Sequence, residues 1–174
     1  PAKPICLAGS GGKPVVILPG FPTSAIFTFH EFVAPVIRLL AGGTIKSPTT
    51  VAAKMAVKVN SEIGRTEFLL VGLVEADEAL VAYPMGKGSG SVTTFSHADG
   101  FVTIDRHHEI VEANEDIDVT LLGRDLQIAD LVIIGSHCTG LDLLLGELQR
   151  QGISSKLISV GSTAGVAAAR RGEC

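Results

Sequence analysis

The stretch Val15-Val16-Ile17-Leu18-Pro19-Gly20-Phe21-Pro22-Thr23-Ser24 decides how the chain is read. A short β-branched apolar run ends in a Pro-Gly-x-Pro turn, and Ile26, Phe29, Val33, Val36, Ile37 and Leu40 then recur three or four residues apart. That order is strand, tight turn, helix. The helix start presents backbone N–H groups without intrahelical partners, and its dipole attracts negative charge. Thr23 or Ser24 is the expected N-cap, so the turn Pro19-Gly20-Phe21-Pro22-Thr23-Ser24 is a candidate anion seat. Plain strand-to-helix punctuation accounts for the same residues. Pro35 inside the helical pattern predicts a kink or a restart, and Gly42-Gly43 a stop.

Working outward, three compositional zones follow. Residues 1–44 hold the strand, turn and helix. Residues 45–122 read as β structure. Val51, Ala53, Met55, Val57 and Val59 alternate with Ala52, Lys54, Ala56 and Lys58, the period of a half-buried strand. Residues 68–74, 79–83, 101–104 and 117–121 are further strand candidates, closely spaced as in a small barrel or sandwich. Residues 123–174 return to alternation: strand 131–134, helix 141–148, strand 156–160 and an Ala-rich helix opened by Gly161-Ser162-Thr163. That is the start of a parallel α/β sheet, too small to stand alone. The fold class is therefore mixed α/β, a small all-β barrel flanked by α/β segments, with both flanks expected to pack on it or on a partner chain. Pro1, without Met, and the Arg170–Cys174 ending read as edges cut from a longer polypeptide.

Composition limits the function. Apolar residues make up 46% and Trp is absent, so the core is aliphatic. Lys+Arg 14 against Asp+Glu 18 gives a net charge of -4, which argues against a nucleic-acid or membrane-surface binder. Cys6, Cys138 and Cys174 are far apart and form no C-x-x-C, which fits a reducing, cytoplasmic setting. The sequence shows no signal-peptide pattern and no apolar run read as long enough to span a bilayer.

Several motifs fail on inspection. Gly86-Lys87-Gly88-Ser89-Gly90-Ser91 is no P-loop, because Gly88 follows Lys87 and Val81 stands where a glycine is needed; as a dinucleotide fingerprint its third glycine would be Ser91. What remains is a loop of amides, hydroxyls and one cation, able to contact an oxyanion or simply to connect strands. His30-Glu31 is no zincin start, because position 34 is Ala34. Asp105, His107, His108 and Glu109 read as a charged surface turn rather than a metal site. Cys138 has only adjacent His137 as a base, so no thiol catalyst is proposed. Ser136, Ser162 and Thr163 lie where strands run into helices, the natural anion seat of an open α/β sheet, although helix capping explains each alone.

Four segments together resemble one family. Leu18-Pro19-Gly20-Phe21-Pro22-Thr23-Ser24-Ala25 is similar to the Leu-Pro-Gly-Asn-Pro-Val-Ser-Ala signature of the molybdopterin molybdenumtransferases, the MoeA and gephyrin E-domain family, and Thr28-Phe29, Val33 and Pro35 continue the match. Gly64-Arg65-Thr66-Glu67-Phe68 resembles that family's Gly-Arg-x-x-Phe segment. Gly88-Ser89 and Ala98-Asp99-Gly100 resemble its later Gly-Ser and Ala-Asp-Gly pattern. The likeness runs in order through residues 1–122.

The resemblance implies insertion of molybdate into molybdopterin, supplied in adenylylated form, by a homodimer using Mg2+. It implies that residues 1–44 end a molybdopterin-binding α/β domain, residues 45–122 are the C-terminal β-barrel, and residues 123–174 begin a periplasmic-binding-protein-like α/β domain. Pro19, Gly20, Pro22, Ser24, Arg65 and Ser89 would then face the pterin cleft. Arg65 is suited to oxyanions by its planar fork. Ser136, Ser162 and Thr163 would hold a small anion such as molybdate. Phe21 departs from the family's Asn, and the Gly-rich loop and acidic metal ligands of the upstream domain are missing. This piece by itself is therefore expected neither to catalyse nor to hold a metal or cofactor. The alternative is a non-catalytic oxyanion-binding or regulatory protein derived from that family.

Overall fold

The structure is a computed structural model that describes residues 5–44, 47–76, 79–86, 92–123 and 125–174. It opens with an antiparallel hairpin of β1 (Cys6–Ser10) and β2 (Lys13–Ile17), in register from Cys6↔Ile17 to Ser10↔Lys13. Gly11 and Gly12 turn it with φ of 57° and 75°, the left-handed pair a two-residue hairpin requires. Sequence reading finds β2 but not β1, whose Cys-Leu-Ala-Gly-Ser carries no clear period.

The helix that follows starts at α1 (Pro22–Thr28), passes through a π-helical turn (Phe29–Val33) and continues as α2 (Ala34–Leu40). Its N-cap is Phe21, with no side-chain cap hydrogen bond, so the expected capping by Thr23 or Ser24 is corrected. Pro22 takes the first helical position, where a missing N–H costs nothing. The π turn answers Pro35. A proline ring collides with the carbonyl four residues back, and a wider turn relieves that clash; the Ala34 N–H donates to Phe29 O across it. The helix thus restarts without breaking. As one helix, Pro22–Leu40 has 19 residues and a mean hydropathy of 1.2, and 11% of its apolar window is buried. By length and composition alone it could cross a membrane, which corrects the reading that no run is long enough. It stops where Gly42 takes φ 77° and the Gly43 N–H reaches Arg38 O at 2.8 Å.

Next come β3 (Thr50–Met55), β4 (Val59–Asn60), β5 (Glu67–Ala76), β6 (Ala79–Pro84), α3 (Val92–His97), β7 (Gly100–Ile104), β8 (Ile110–Val111) and β9 (Asp116–Leu121). Strands β3-β6-β5-β7-β9 close into a barrel, with β3 and β6 parallel and the other recorded pairs antiparallel. Ala53 and Met55 point inward with Leu69, Val71, Leu73, Ala82, Val102, Ile104 and Val119. The expected strand 51–59 is cut at Ala56–Lys58, where the chain leaves the barrel; Val59–Asn60 pairs instead with Ile110–Val111. Helix α3 is an addition to the elements expected from sequence.

The last zone pairs β10 (Leu131–Gly135) in parallel with β11 (Ser155–Ser159), from Leu131↔Ser155 to Gly135↔Ser159. Helices α4 (Thr139–Arg150) and α5 (Ser162–Arg170) each follow a strand, as the alternation predicts. A methyl group on Gly165 would stand 2.5 Å from Ile134 O, so only glycine lets α5 lie this close to β10. Ile134, Ile158 and Ala168 of this unit pack with Ala56, Val74, Val81 and Tyr83 on the outside of the barrel. Strand β5 is buried on both faces, which is why residues 68–74 are apolar without alternation.

Candidate functional site

The Pro19–Ser24 turn is carried to the barrel by Phe27. Its ring stacks on Phe68 of β5 (centroids 5.1 Å, 14° between planes) and meets Phe101 of β7 edge-on at 5.0 Å and Phe95 of α3 at 5.9 Å. Phe68 and Phe101 also meet edge-on, at 5.6 Å. Four aromatic rings from four elements thus seat α1 on the barrel, each contact adding about 0.5–1.5 kcal/mol beyond its buried area. Within the turn Pro19 is buried, Gly20 is exposed, and Pro22 and Ser24 are half-buried. The Ala25 N–H donates to Phe21 O at 2.8 Å, the first bond of the helix. Two hydroxyls of α1, Thr23 Oγ1 and Thr28 Oγ1, are buried without a hydrogen-bond partner. An orphaned buried hydroxyl costs about 1–3 kcal/mol. Sequence reading names Thr23 only as a cap and gives Thr28 no site role.

Arg65 precedes Phe68 by three residues and is exposed; its Nη1 donates to Glu62 Oε2 at 3.0 Å. The guanidinium therefore lies on the protein surface in a solvent-screened pair. Ser89, with Lys87, Gly88, Gly90 and Ser91, lies outside the described residues. In the second candidate seat, the structure brings Ser136 and Ser162 together: their hydroxyls lie 2.7 Å apart where β10 and β11 end. Thr163 is exposed one residue further on. Neither α4 nor α5 has a side-chain cap, so Cys138 and Gly161 stand at the N-caps in place of the expected Ser and Thr. His137 Nε2 lies 2.8 Å from Asp142 Oδ1, near the start of α4.

The Asp105–Glu109 cluster is a turn, as expected. The Asp105 carboxylate accepts the His107 N–H at 2.9 Å, and that bond holds its carboxyl below the usual range. Among the described residues, no group of three or more His, Cys, Asp or Glu side chains could hold a metal ion.

Two polar links that sequence reading misses fasten residues 123–174 to the barrel. Lys156 Nζ donates to Asp99 Oδ2 at 2.5 Å and to Leu73 O at 2.8 Å, while the Leu73 N–H donates to the same carboxylate oxygen at 2.6 Å. Strand β7 stops at Gly100, opposite Val71, and the Asp99–Lys156 pair supplies the acceptor and donor that its next residues would have given Leu73. The second link joins Tyr83, Arg171 and the buried Glu173. The Tyr83 hydroxyl and the Arg171 guanidinium both donate to the Glu173 carboxylate. Only the Ala-Asp-Gly motif hints at either link; in the sequence Lys156 is simply part of a strand.

Residues 52–122 match the family model of the MoeA C-terminal region, domain IV. The chain carries a MoeA C-terminal region. That region runs from β3 to the end of β9, the span of the barrel. Two structures of the molybdopterin biosynthesis MoeA protein of Pyrococcus horikoshii align with 70% of the chain. Their TM-scores are 0.57 and 0.54 and their identities 40% and 25%, over 29% and 30% of those chains. A molybdenum cofactor biosynthesis protein of Pyrococcus furiosus aligns with 61% of this chain and 38% of its own, at 26% identity and a TM-score of 0.51. Molybdopterin molybdenumtransferase 1 of Mycobacterium tuberculosis is 28% identical over 123 residues, 67% of this chain. The chain spans 29% of the length of that curated relative. Within the MoeA region, Gly100 of the Ala-Asp-Gly motif has a packing reason: a methyl group there would fall 2.6 Å from Thr120 O and from Val119 Cγ1.

Proposed function

We propose that this chain works in molybdenum cofactor biosynthesis, as the C-terminal part of an enzyme that inserts molybdate into adenylylated molybdopterin. The reading is carried by the Phe27 cage, which joins the Pro19–Ser24 turn to the barrel strand that follows Arg65. A substrate lying over that junction would meet the helix N–H groups from one side and the Arg65 guanidinium from the other. The likeness to MoeA proteins named for molybdopterin biosynthesis supports the substrate class. Pro19, Gly20, Pro22 and Ser24 shape the turn, and Arg65 and Ser89 hold oxyanion or phosphate groups. Arg65 would have to leave Glu62, an exposed pair worth about 0–1 kcal/mol.

On this proposal residues 1–44 end the molybdopterin-binding α/β domain. The exposed apolar residues Leu7, Ile17, Ile37 and Leu40 support it, because a hairpin and helix with bare apolar faces need more of a domain to cover them. Residues 45–122 are the barrel domain, and residues 123–174 open a periplasmic-binding-protein-like unit. The whole enzyme acts as a cytoplasmic homodimer. The described residues offer no ligand set that fits the Mg2+ of the family reaction, and no step is routed through it. Molybdate enters as substrate.

A second reading, a non-catalytic oxyanion-binding or regulatory protein, draws on the Ser136–Ser162 contact at two helix starts. Titration separates the two. Molybdopterin binding that weakens in Arg65→Ala supports the enzyme. Molybdate or sulfate binding lost only in Ser136→Ala with Ser162→Ala supports the second reading. No molybdopterin binding by the chain would overturn the first.

A further inference from the structure

Segment 95–101 is gripped from two directions. On the extension side, Lys156 of β11 and the Leu73 amide converge on the Asp99 carboxylate, whose side chain is 17% exposed. On the N-terminal side, Phe27 lies against Phe95 and Phe101, four residues before Asp99 and two after it. Between these grips the backbone is fixed as well. The Asp99 N–H donates to Val71 O and Asp99 O accepts from the Leu122 N–H, both at 3.0 Å, while the Ala98 N–H bonds Phe95 O at 3.3 Å. A methyl group on Gly100 would fall 2.6 Å from Thr120 O, so β7 and β9 lie close together here. Asp99 thus shares one short segment with both Phe95 and Phe101, the rings of this segment that touch Phe27.

We infer that Lys156 is a positioning residue: acting through Asp99 and the Phe95–Phe101 segment, it sets the placement of α1 and of the Pro19–Ser24 turn. Residues 123–174 then tune the site formed by the turn rather than riding on the barrel as an independent unit. The relay is built of contacts: ammonium on carboxylate, carboxylate on a strand amide, and rings on a ring. Because a coupling free energy is reciprocal, loosening the cage must also loosen the Lys156 end. The consequence for binding rests on the reading that the turn meets molybdopterin; the coupling itself does not.

Hydrogen–deuterium exchange on the 174-residue chain tests it. In Lys156→Met, peptides covering 95–101 and 22–28 should exchange about tenfold faster, while those of β10, α5 and β3 stay as in wild type. Lys156→Arg, which keeps a donor to the carboxylate, should restore most of the protection. In Phe27→Leu the β11 peptide should exchange faster in turn. Should Lys156→Met not fold, Asp99→Asn reports on the same contact. Faster exchange at 95–101 with none at 22–28 overturns the relay, and so does uniform loosening of residues 123–174, which would make Lys156 an ordinary fastener. A parallel titration with molybdopterin should show about fivefold weaker binding in Lys156→Met. If wild type binds no molybdopterin, the functional reading falls and the exchange data alone decide the coupling.

Discussion

The Tyr83 hydroxyl donates a hydrogen bond to the Glu173 carboxylate, joining residues 90 positions apart in a buried contact. Arg171 closes the group, with Nε 2.7 Å from Glu173 Oε1 and Nη2 2.8 Å from Oε2. Tyr83→Phe removes one donor and leaves the ion pair, so it should cost about 1–2 kcal/mol. Glu173→Ala strands both donors and should cost about 2–4 kcal/mol, the half-exposed Arg171 limiting the loss. Urea unfolding of the two variants checks the order; equal costs would mean that the carboxylate carries nothing beyond the phenol contact.

The same group sets a pH dependence. Burial and the Glu173 hydrogen bond push the Tyr83 phenol up to about 12 from its ordinary 10.0. A raised folded value gives stability that is complete below about pH 10 and is lost as pH rises toward 12. Burial pushes the Glu173 carboxyl up, but the hydrogen bonds from Arg171 and Tyr83 outweigh it and leave the group below its ordinary 4.5. Its contribution is therefore complete above that value and fades as pH falls through the lower folded one. Thermal melts across pH should show both losses. Glu173→Gln should flatten the acid limb, and Tyr83→Phe the alkaline one.

Gly100→Ala and Gly165→Ala each place a methyl group within 2.6 Å of backbone or side-chain atoms. Each should cost about 1–3 kcal/mol as the strands or helix shift apart. For Gly165 the clash opposes a gain of about 1 kcal/mol in helix propensity. Calorimetry decides: a more stable Gly165→Ala would mean that α5 moves off β10 freely.

Phe27→Ala empties the aromatic cage and should cost about 3 kcal/mol. Proteolysis should then cut within residues 22–40 before it touches the barrel. Cleavage at the wild-type rate would show that α1 is held by something other than Phe27.

Arg65→Ala should change stability by less than about 0.5 kcal/mol, because its partner Glu62 is exposed. On the proposed function it should still weaken molybdopterin binding. Arg65→Lys should not fully restore that binding, because a bidentate contact needs the planar fork that an ammonium lacks. Unchanged binding would leave Arg65 with its surface pair alone.

The strands and helices of the barrel and extension were legible in the sequence because their signals are local. Period two in residues 51–55, continuous apolar runs at 68–74 and 131–134, and the glycines at 42–43 each report a backbone environment directly. The motif at residues 18–25 pointed to the family for the same reason: a turn's residues are neighbours in sequence. Other features were decided only by the tertiary structure. The π turn arises because a helix that keeps its course must make room for Pro35, which the sequence alone reads as a kink or restart. Asp99 reads only as the middle of an Ala-Asp-Gly motif until the fold leaves Leu73 without a partner from β7 and Lys156 arrives from 57 positions away. Tyr83 reads as one more strand residue until Glu173 folds back onto it. A polar partner across the chain leaves no periodicity. Burial creates the need for it, and only the closed fold determines which charge is near enough to answer.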